Sequence, residues 1–275
     1  MSFTIFSDFG CGLLPNEAAD LSITVLPYRI KLDKEYEYKL SWENFYQDEF
    51  FSLIDKGYTP TYNRPTLGEW LPLVENSFSN DLDILYIGMS GKLTGSYTTL
   101  KAISDYLREK YPSRRLITFD TLTVGRAVGY FIKLACSKER EGYSIDYTYD
   151  WLTANLGITE SYWIPENTSI AKSTRRLSLD KRSTDFYKFP MLCLDSTGAF
   201  GFEQPFAIKE DFFNYLNRDT RKKELCITYD FTDEEISSLF SGVPNLSVFP
   251  ISPCEAAMLG RHSFGIALLK GGCTS

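Results

Sequence analysis

An α/β fold, with an N-terminal parallel-sheet, Rossmann-like domain followed by a C-terminal α+β domain, is predicted by three features of this 275-residue sequence. Short apolar runs alternate with helix-period patterns through the first half, as in strands joined by crossover helices. One run, Ile84 to Gly88, is continuously apolar, as in a central strand covered on both faces. Near Glu160 the character changes to a polar, irregular stretch, and strand patterns dominate beyond it. These place the domains at residues 1–158 and 159–275.

The elements follow in order. Phe3 to Phe6 is a strand, broken at Ser7-Asp8-Phe9-Gly10. Ile23 to Ile30 is a second extended run, interrupted by Pro27. Ser41 serves as an N-cap with Glu43 in the first helical turn, where negative charge suits the helix dipole. Trp42, Phe45, Tyr46, Phe50 and Leu53 repeat at helical spacing and carry that helix to Ile54, before a turn at Lys56-Gly57. TPTYNRPT, Thr59 to Thr66, precedes another helix. After Ile84 to Gly88 and a glycine turn, Tyr97, Leu100, Ile103 and Leu107 mark a helix ended by Pro112. Arg115 to Asp120 is the next strand, and Val124 to Arg140 a helix burying Val128, Ile132 and Ala135. SYWIPENTSIAKSTRRLSLDKRSTDF reads as irregular. Phe189 to Phe202 is a hairpin with its turn at Asp195 to Gly198, followed by a helix near Lys209 to Leu216. Leu225 to Tyr229, Leu246 to Ile251 and Ile266 to Leu269 are further strands.

Composition narrows the functional classes. Hydrophobic residues make up 43% and charged residues 24% of the chain, a globular balance. A formal charge of -7 argues against nucleic-acid binding, which needs clustered Lys and Arg. Lys172 to Arg176 and Arg218 to Lys223 are short basic runs, and Arg221, Lys222 and Lys223 read as a solvated face. Cys11, Cys136, Cys193, Cys226, Cys254 and Cys273 form no C-x-x-C pair and read as free thiols, with no metal site. The N-terminus lacks a signal-peptide pattern and no apolar run is long enough to span a bilayer, so a cytoplasmic location is expected.

The stretch GMSGKLTGSY follows the buried strand and opens a helix. Its small residues turn backbone N–H groups toward a helix N-terminus, forming an anion cradle from Ser90, Gly91, Thr94, Gly95 and Ser96. The ordinary alternative is a tight turn that caps the helix. No Lys-Ser/Thr pair follows the second glycine, so it is not a P-loop. Gly88-Met89-Ser90-Gly91 approaches a nucleophile elbow, with Lys92 where its second glycine belongs. His262, the chain's single histidine, lies downstream as a hydrolase triad requires.

Three more segments complete a set: TPTYNRPT, DTLTVGRAVG from Asp120, and GRHSFGIALL from Gly260 to Leu269. With MSGKLTGSY between the first two, the chain resembles the DegV family of bacterial fatty-acid-binding proteins. SDFG and Val25 to Pro27 resemble that family's TDS and VPL elements, and MSGKLTGSY its ISSxLSGTY pattern. The resemblance implies two domains with an acyl chain in a tunnel at their interface and a carboxylate held by a Thr, a Ser and the late His262. It also implies a carrier rather than an enzyme, with no cofactor, presenting a bound fatty acid to a separate fatty acid kinase and touching membranes transiently without spanning them.

The matching is uneven. Gly91 replaces the second serine of ISS. Tyr62 falls where TSQPS has its Thr, with Thr61 before it and Asn63 after it. Arg176 is kept from a glycine-glycine-arginine element, while Glu203-Gln204-Pro205-Phe206 occupies the place of a later basic segment. The expected ligand-binding set is Thr61, Tyr62, Asn63, Ser90, Gly91, Thr94, Gly95, Ser96, Arg176 and His262. Two alternatives stand beside fatty-acid binding: a divergent member that binds another ligand or acts by protein contact, and a serine hydrolase using Ser90 and His262.

Overall fold

Strand β1, Phe3–Asp8, passes through a 3-10 turn at Phe9–Cys11 into the short helix α1, Pro15–Asp20. The structure is a computed structural model that describes residues 3–26, 28–32, 36–39, 47–165, 189–206, 214–215, 218, 220–227, 232–260 and 263–269. Next come β2 (Thr24–Leu26), β3 (Arg29–Leu32), β4 (Tyr36–Lys39), α2 (Gln47–Asp55), β5 (Pro60–Asn63) and α3 (Leu67–Ser79). The middle of the chain holds β6 (Asp83–Gly88), α4 (Ser96–Leu107), β7 (Leu116–Asp120), α5 (Arg126–Arg140) and α6 (Ile145–Ala154). A 3-10 turn at Leu156–Ile158 leads to β8 (Thr159–Ile164), β9 (Phe189–Leu194), β10 (Phe200–Phe206) and β11 (Lys222–Ile227). The chain continues through α7 (Asp233–Phe240), β12 (Leu246–Pro250), α8 (Pro253–Leu259) and β13 (Phe264–Leu269).

Three sheets organise these elements. The first, in the order β2-β1-β6-β7, is parallel throughout. Every residue of β6 is buried, as its continuous apolar run predicts for a central strand. The second sheet, β4-β3-β5, is small and antiparallel. The third, β10-β9-β8-β13-β11-β12, is antiparallel except for the β11–β12 pair. The α/β architecture with a parallel first sheet and a mixed last sheet is therefore as predicted.

Several expectations need correction. The run Ile23 to Ile30 is not one strand: Thr24–Leu26 joins the first sheet and Arg29–Leu32 the second. Pro27 lies between them, and a proline has no N–H to offer a ladder. The stretch read as irregular after Glu160 begins inside β8, where Trp163 and Ile164 are buried. β8 pairs with β13 and β9, long-range partners that local pattern does not reveal. Lys223 is wholly buried rather than solvated; its Nζ donates to the Arg221 and Pro244 carbonyls at 3.0 and 3.2 Å. Helices α1 and α6 and the second sheet had no counterpart in the sequence reading. Residues 41–46 of the helix predicted from Ser41 lie outside the described residues, as does most of that predicted at Lys209 to Leu216.

The core sits between the first and third sheets. One apolar cluster joins Phe9, Met89, Leu93, Val128 and Phe131 to Trp163, Leu192, Cys226, Ile251 and Cys254. Arg126, at the start of α5, crosses the same boundary: it pairs with Glu17 and, at 2.7 Å, with Glu224 of β11, and its guanidinium lies 3.7 Å from the centre of the Phe249 ring. Among the described residues, no helix is long and apolar enough to cross a membrane, and no three acidic, histidine or cysteine side chains gather as metal ligands.

Candidate functional site

The strands β1, β6 and β7 end side by side at Asp8, Gly88 and Asp120. β1 leads to β2 on one side and β6 leads to β7 on the other, so strand order reverses between β1 and β6. Crevices at such reversals are where open α/β sheets take ligands.

Asp8 stands at this reversal with no solvent exposure. Its Oδ2 accepts the hydroxyls of Tyr28 at 2.8 Å, Ser96 at 3.1 Å and Tyr86, and its Oδ1 accepts the Gly10 N–H at 3.2 Å. Burial raises its pKa against the opposing pull of those four hydrogen bonds. Gly88 makes room for this arrangement: a Cβ there would lie 2.3 Å from the Tyr86 hydroxyl.

The loop after β6 differs from the expected cradle of free amides. Most of its N–H groups are already used within the chain. Gly91 donates to Asp120 Oδ2 at 3.0 Å, Lys92 to Ser90 Oγ at 3.2 Å, Leu93 and Thr94 to the Ser90 carbonyl, and Ser96 to Thr94 Oγ1 at 3.2 Å. Gly91 is required by close approach, since a Cβ would stand 2.8 Å from Asp120 Oδ2. Burial raises the Asp120 pKa, opposed by the N–H groups of Leu122 and Gly91.

The hydroxyls divide as well. Ser90 is fully buried and donates to the Gly198 carbonyl at 2.6 Å. Ser96 is fully buried and donates to Asp8. Thr94 is half-buried, with its Oγ1 3.0 Å from the Tyr28 hydroxyl and 2.9 Å from Ser96 Oγ.

Thr94 opens onto a cleft of about 750 Å³ lined by Tyr28, Asn63, Arg64, Leu67, Leu93 and Thr98, among others. Arg64 crosses it, donating from Nε to Thr99 Oγ1 at 3.2 Å. Its guanidinium rests on Gly95, where a Cβ would be 2.2 Å from Nη1. The far rim is held by Glu69, which accepts both the N–H and O–H of Thr66 at 2.8 Å and pairs with Arg29 at 2.7 Å. Polar groups of Thr94, Asn63 and Arg64 thus face apolar Leu67 and Leu93.

A second cleft, about 380 Å³, lies where the first sheet's loops meet the third sheet. Its lining includes Leu122, Thr123, Glu160, Tyr162, Cys193 and Asp195. Leu122 has φ 53°, a conformation that strains a branched side chain. Gly198, with φ 78°, closes the hairpin turn against Ser90, and Thr123 donates to Ser161 Oγ at 3.2 Å.

Of the expected site residues, Asn63, Thr94 and Gly95 line the first cleft together, while Ser90 and Ser96 are buried and Gly91 is exposed and bonded to Asp120. Thr61 lies in β5, exposed, with its hydroxyl 3.4 Å from the Lys31 carbonyl and apart from the cleft lining. Tyr62 pairs with Ile30 across the second sheet. Arg176 and His262 lie outside the described residues. Sequence reasoning missed Asp8, Tyr28 and Arg64 as site residues. The usable signal for Arg64 was its place in TPTYNRPT, directly after Asn63.

The sequence model described as "Uncharacterised protein, DegV family" matches residues 2–175. The DegV domain-containing protein YteA of Lactococcus lactis is 22% identical over 280 residues, covering 97% of each chain. Among solved structures, the fatty acid binding DegV family protein SAG1342 of Streptococcus agalactiae superposes with a TM-score of 0.83 at 15% identity, over 99% of this chain and 100% of that one. A stearic acid-binding protein of Eubacterium ventriosum gives 0.82 at 15% identity, over 98% of both chains. The parallel sheet, the strand-to-helix turn at its centre and the family match over more than half the sequence place this chain in the DegV family.

Proposed function

We propose that this chain binds a long-chain fatty acid, with the carboxylate at Thr94, Arg64 and Asn63 and the acyl chain entering along Leu93. The carrying observation is the cleft of about 750 Å³ in which a threonine hydroxyl, a guanidinium and an amide converge above apolar side chains. Its size falls within the roughly 300–1,000 Å³ common for small-molecule sites. Leu93 belongs to the cluster that reaches Phe9, Met89 and Cys254 between the sheets, and that layer is the route we assign to the acyl tail. The fatty-acid-binding relatives from S. agalactiae and E. ventriosum support the ligand class.

The reading treats residues 1–158 and 159–275 as two lobes and the protein as a cytoplasmic carrier rather than an enzyme. Arg64 and Thr98 are exposed at the cleft mouth, so the carboxylate stays within reach of a separate kinase, as the family resemblance implies. Ser90 argues for the carrier over the hydrolase: its hydroxyl is buried and already donates to Gly198. Extraction of the purified protein followed by mass spectrometry, and titration of the delipidated protein with parinaric acid, test the proposal. Each buried methylene contributes about 0.8 kcal/mol, so a retained long-chain acid is expected in the extract. If no fatty acid is retained and none can be bound, the reading is overturned.

A further inference from the structure

Asp8 is a buried carboxylate whose described hydrogen-bond partners, Tyr28, Tyr86, Ser96 and Gly10, include no cation. One oxygen, Oδ2, receives all three hydroxyls. A hydroxyl has one proton, so while Asp8 is ionised those of Tyr28, Tyr86 and Ser96 point inward. Thr94 Oγ1 sits 3.0 Å from Tyr28 Oη and 2.9 Å from Ser96 Oγ, and neither oxygen has a second proton to give it. For either contact to be a hydrogen bond, Thr94 must then donate inward too. The chain Asp8–Tyr28–Thr94 ends at the cleft with a lone pair facing outward, the wrong polarity for an anion.

We infer that Asp8 is the positioning residue of the headgroup site, taking up one proton as an anionic headgroup enters and so reversing the Tyr28–Thr94 hydroxyl chain to donate into the cleft. The inference rests on the carboxylate-binding reading above. The proton added at Oδ2 is donated to Tyr28 Oη, the Tyr28 hydroxyl turns to Thr94 Oγ1, and the Thr94 hydroxyl turns to the ligand oxygen. Ser96 N–H and Tyr28 then fill the acceptor positions of Thr94, while Ser96 and Tyr86 keep their bonds to Asp8. No bond other than O–H is made or broken, and the proton comes from solvent or from the headgroup itself.

The surroundings single out Asp8 as the group that changes charge. Facing it or its phenol partners are Cys11, Tyr28, Tyr86, Tyr97 and Cys254, with Asp120 beyond Tyr97 and Arg64 across the cleft. Burial pushes the Cys11 thiol up to about 12 and the three phenols well above their usual range, so these stay protonated near neutrality. Burial raises the Asp8 pKa, working against its charged form. Asp120 keeps its two backbone N–H partners and is not part of the hydroxyl chain.

Calorimetric titration in two buffers of different ionisation enthalpy tests this, with dodecylsulfonate as a probe that stays anionic at every pH used and parinaric acid as a second ligand. The wild type is expected to take up about one proton per ligand, with affinity falling as pH rises, by up to tenfold per unit. Asp8→Asn, whose amide donates permanently, is expected to bind with no proton uptake and a flat pH profile. Tyr28→Phe, which interrupts the chain, is expected to lose the uptake and bind more weakly. Binding without proton uptake by the wild type, or an unchanged profile in both variants, overturns the role of Asp8 and leaves the ligand reading standing. No binding of either probe at any pH overturns both.

Discussion

Ser90 and Gly198, 108 residues apart, are joined by a 2.6 Å hydrogen bond from the serine hydroxyl to the glycine carbonyl. The glycine has φ 78°, and a Cβ on it would fall 2.2 Å from Ser90 Oγ. The hairpin turn of the third sheet therefore docks on the strand-to-helix turn of the first through a contact that admits no side chain.

Gly198→Ala is expected to destabilise the protein by about 1–3 kcal/mol through left-handed strain alone, with the collision at Ser90 added. Ser90→Ala leaves the Gly198 carbonyl and the Lys92 N–H unpartnered and is expected to cost about 1–3 kcal/mol. Urea unfolding of each variant checks both. A fluorophosphonate is expected to leave the folded wild type unlabelled; labelling lost in Ser90→Ala would restore the hydrolase alternative.

Gly95→Ala separates ligand affinity from stability. The new Cβ meets only the tip of Arg64, which can swing away, so stability should stay within about 0.5 kcal/mol of wild type. Displacing that guanidinium from the cleft should weaken parinaric acid binding tenfold or more, since a hydrogen bond to a charged group contributes about 1.5–3 kcal/mol. Thermal melts and fluorescence titration on one preparation read the two effects.

Glu17 predicts an acid limb in the stability profile. Its burial works to raise the carboxyl, but Arg126, the Leu14 N–H and Lys133 outweigh it and hold the group at about 2, below the usual 4.5. A depressed carboxylate contributes stability fully above its unfolded value, and that contribution is lost as pH falls from about 4.5 toward 2. Glu17→Gln should therefore be less stable than wild type near neutrality, with the gap closing as pH drops through that window. Denaturant midpoints collected across the acid range measure it.

Thiol chemistry should follow burial. Burial pushes Cys11 up to about 12, Cys136 to about 11 and Cys226 well above the usual range, while Cys193 is half-buried on the second cleft. Among these four, Cys193 is expected to react first with a disulfide reagent in the native protein. Peptide mapping after timed quenching identifies the site, and an order led by Cys11 or Cys226 would contradict the packing.

The parts of the fold written in local pattern were legible. Ile84 to Gly88 announced a doubly covered strand because each of its residues is needed inside, and Asp195 to Gly198 announced a hairpin by its turn residues. β8 was hidden because Thr159–Ile164 takes its partners from β13 and β9, so TESYWI shows no alternation of its own. Lys223 was misread because the fold brings the Arg221 and Pro244 carbonyls to its ammonium in a buried position. At the site, the Ser90 to Ser96 turn was visible as a glycine-rich corner, but the use of its amides was not, since Asp120 lies 29 residues away from Gly91. Asp8 was passed over as a strand breaker; its three hydroxyl partners come from distant segments that only the fold brings together.

Helix α8 packs on the 3-10 turn after β1 and on β5, although it is among the last elements in the chain. On the ribosome, residues up to Ile158 emerge with that face of Phe9–Cys11 uncovered, and its partner follows roughly 100 residues later. At about 5–20 residues per second the delay is on the order of 5–20 s. The nascent first half must therefore wait, apolar side out, until helix α8 has been made. A fragment stopped at residue 158 inherits that exposed face permanently, so it should be sticky and in need of a chaperone, whereas a chain that reaches α8 covers it.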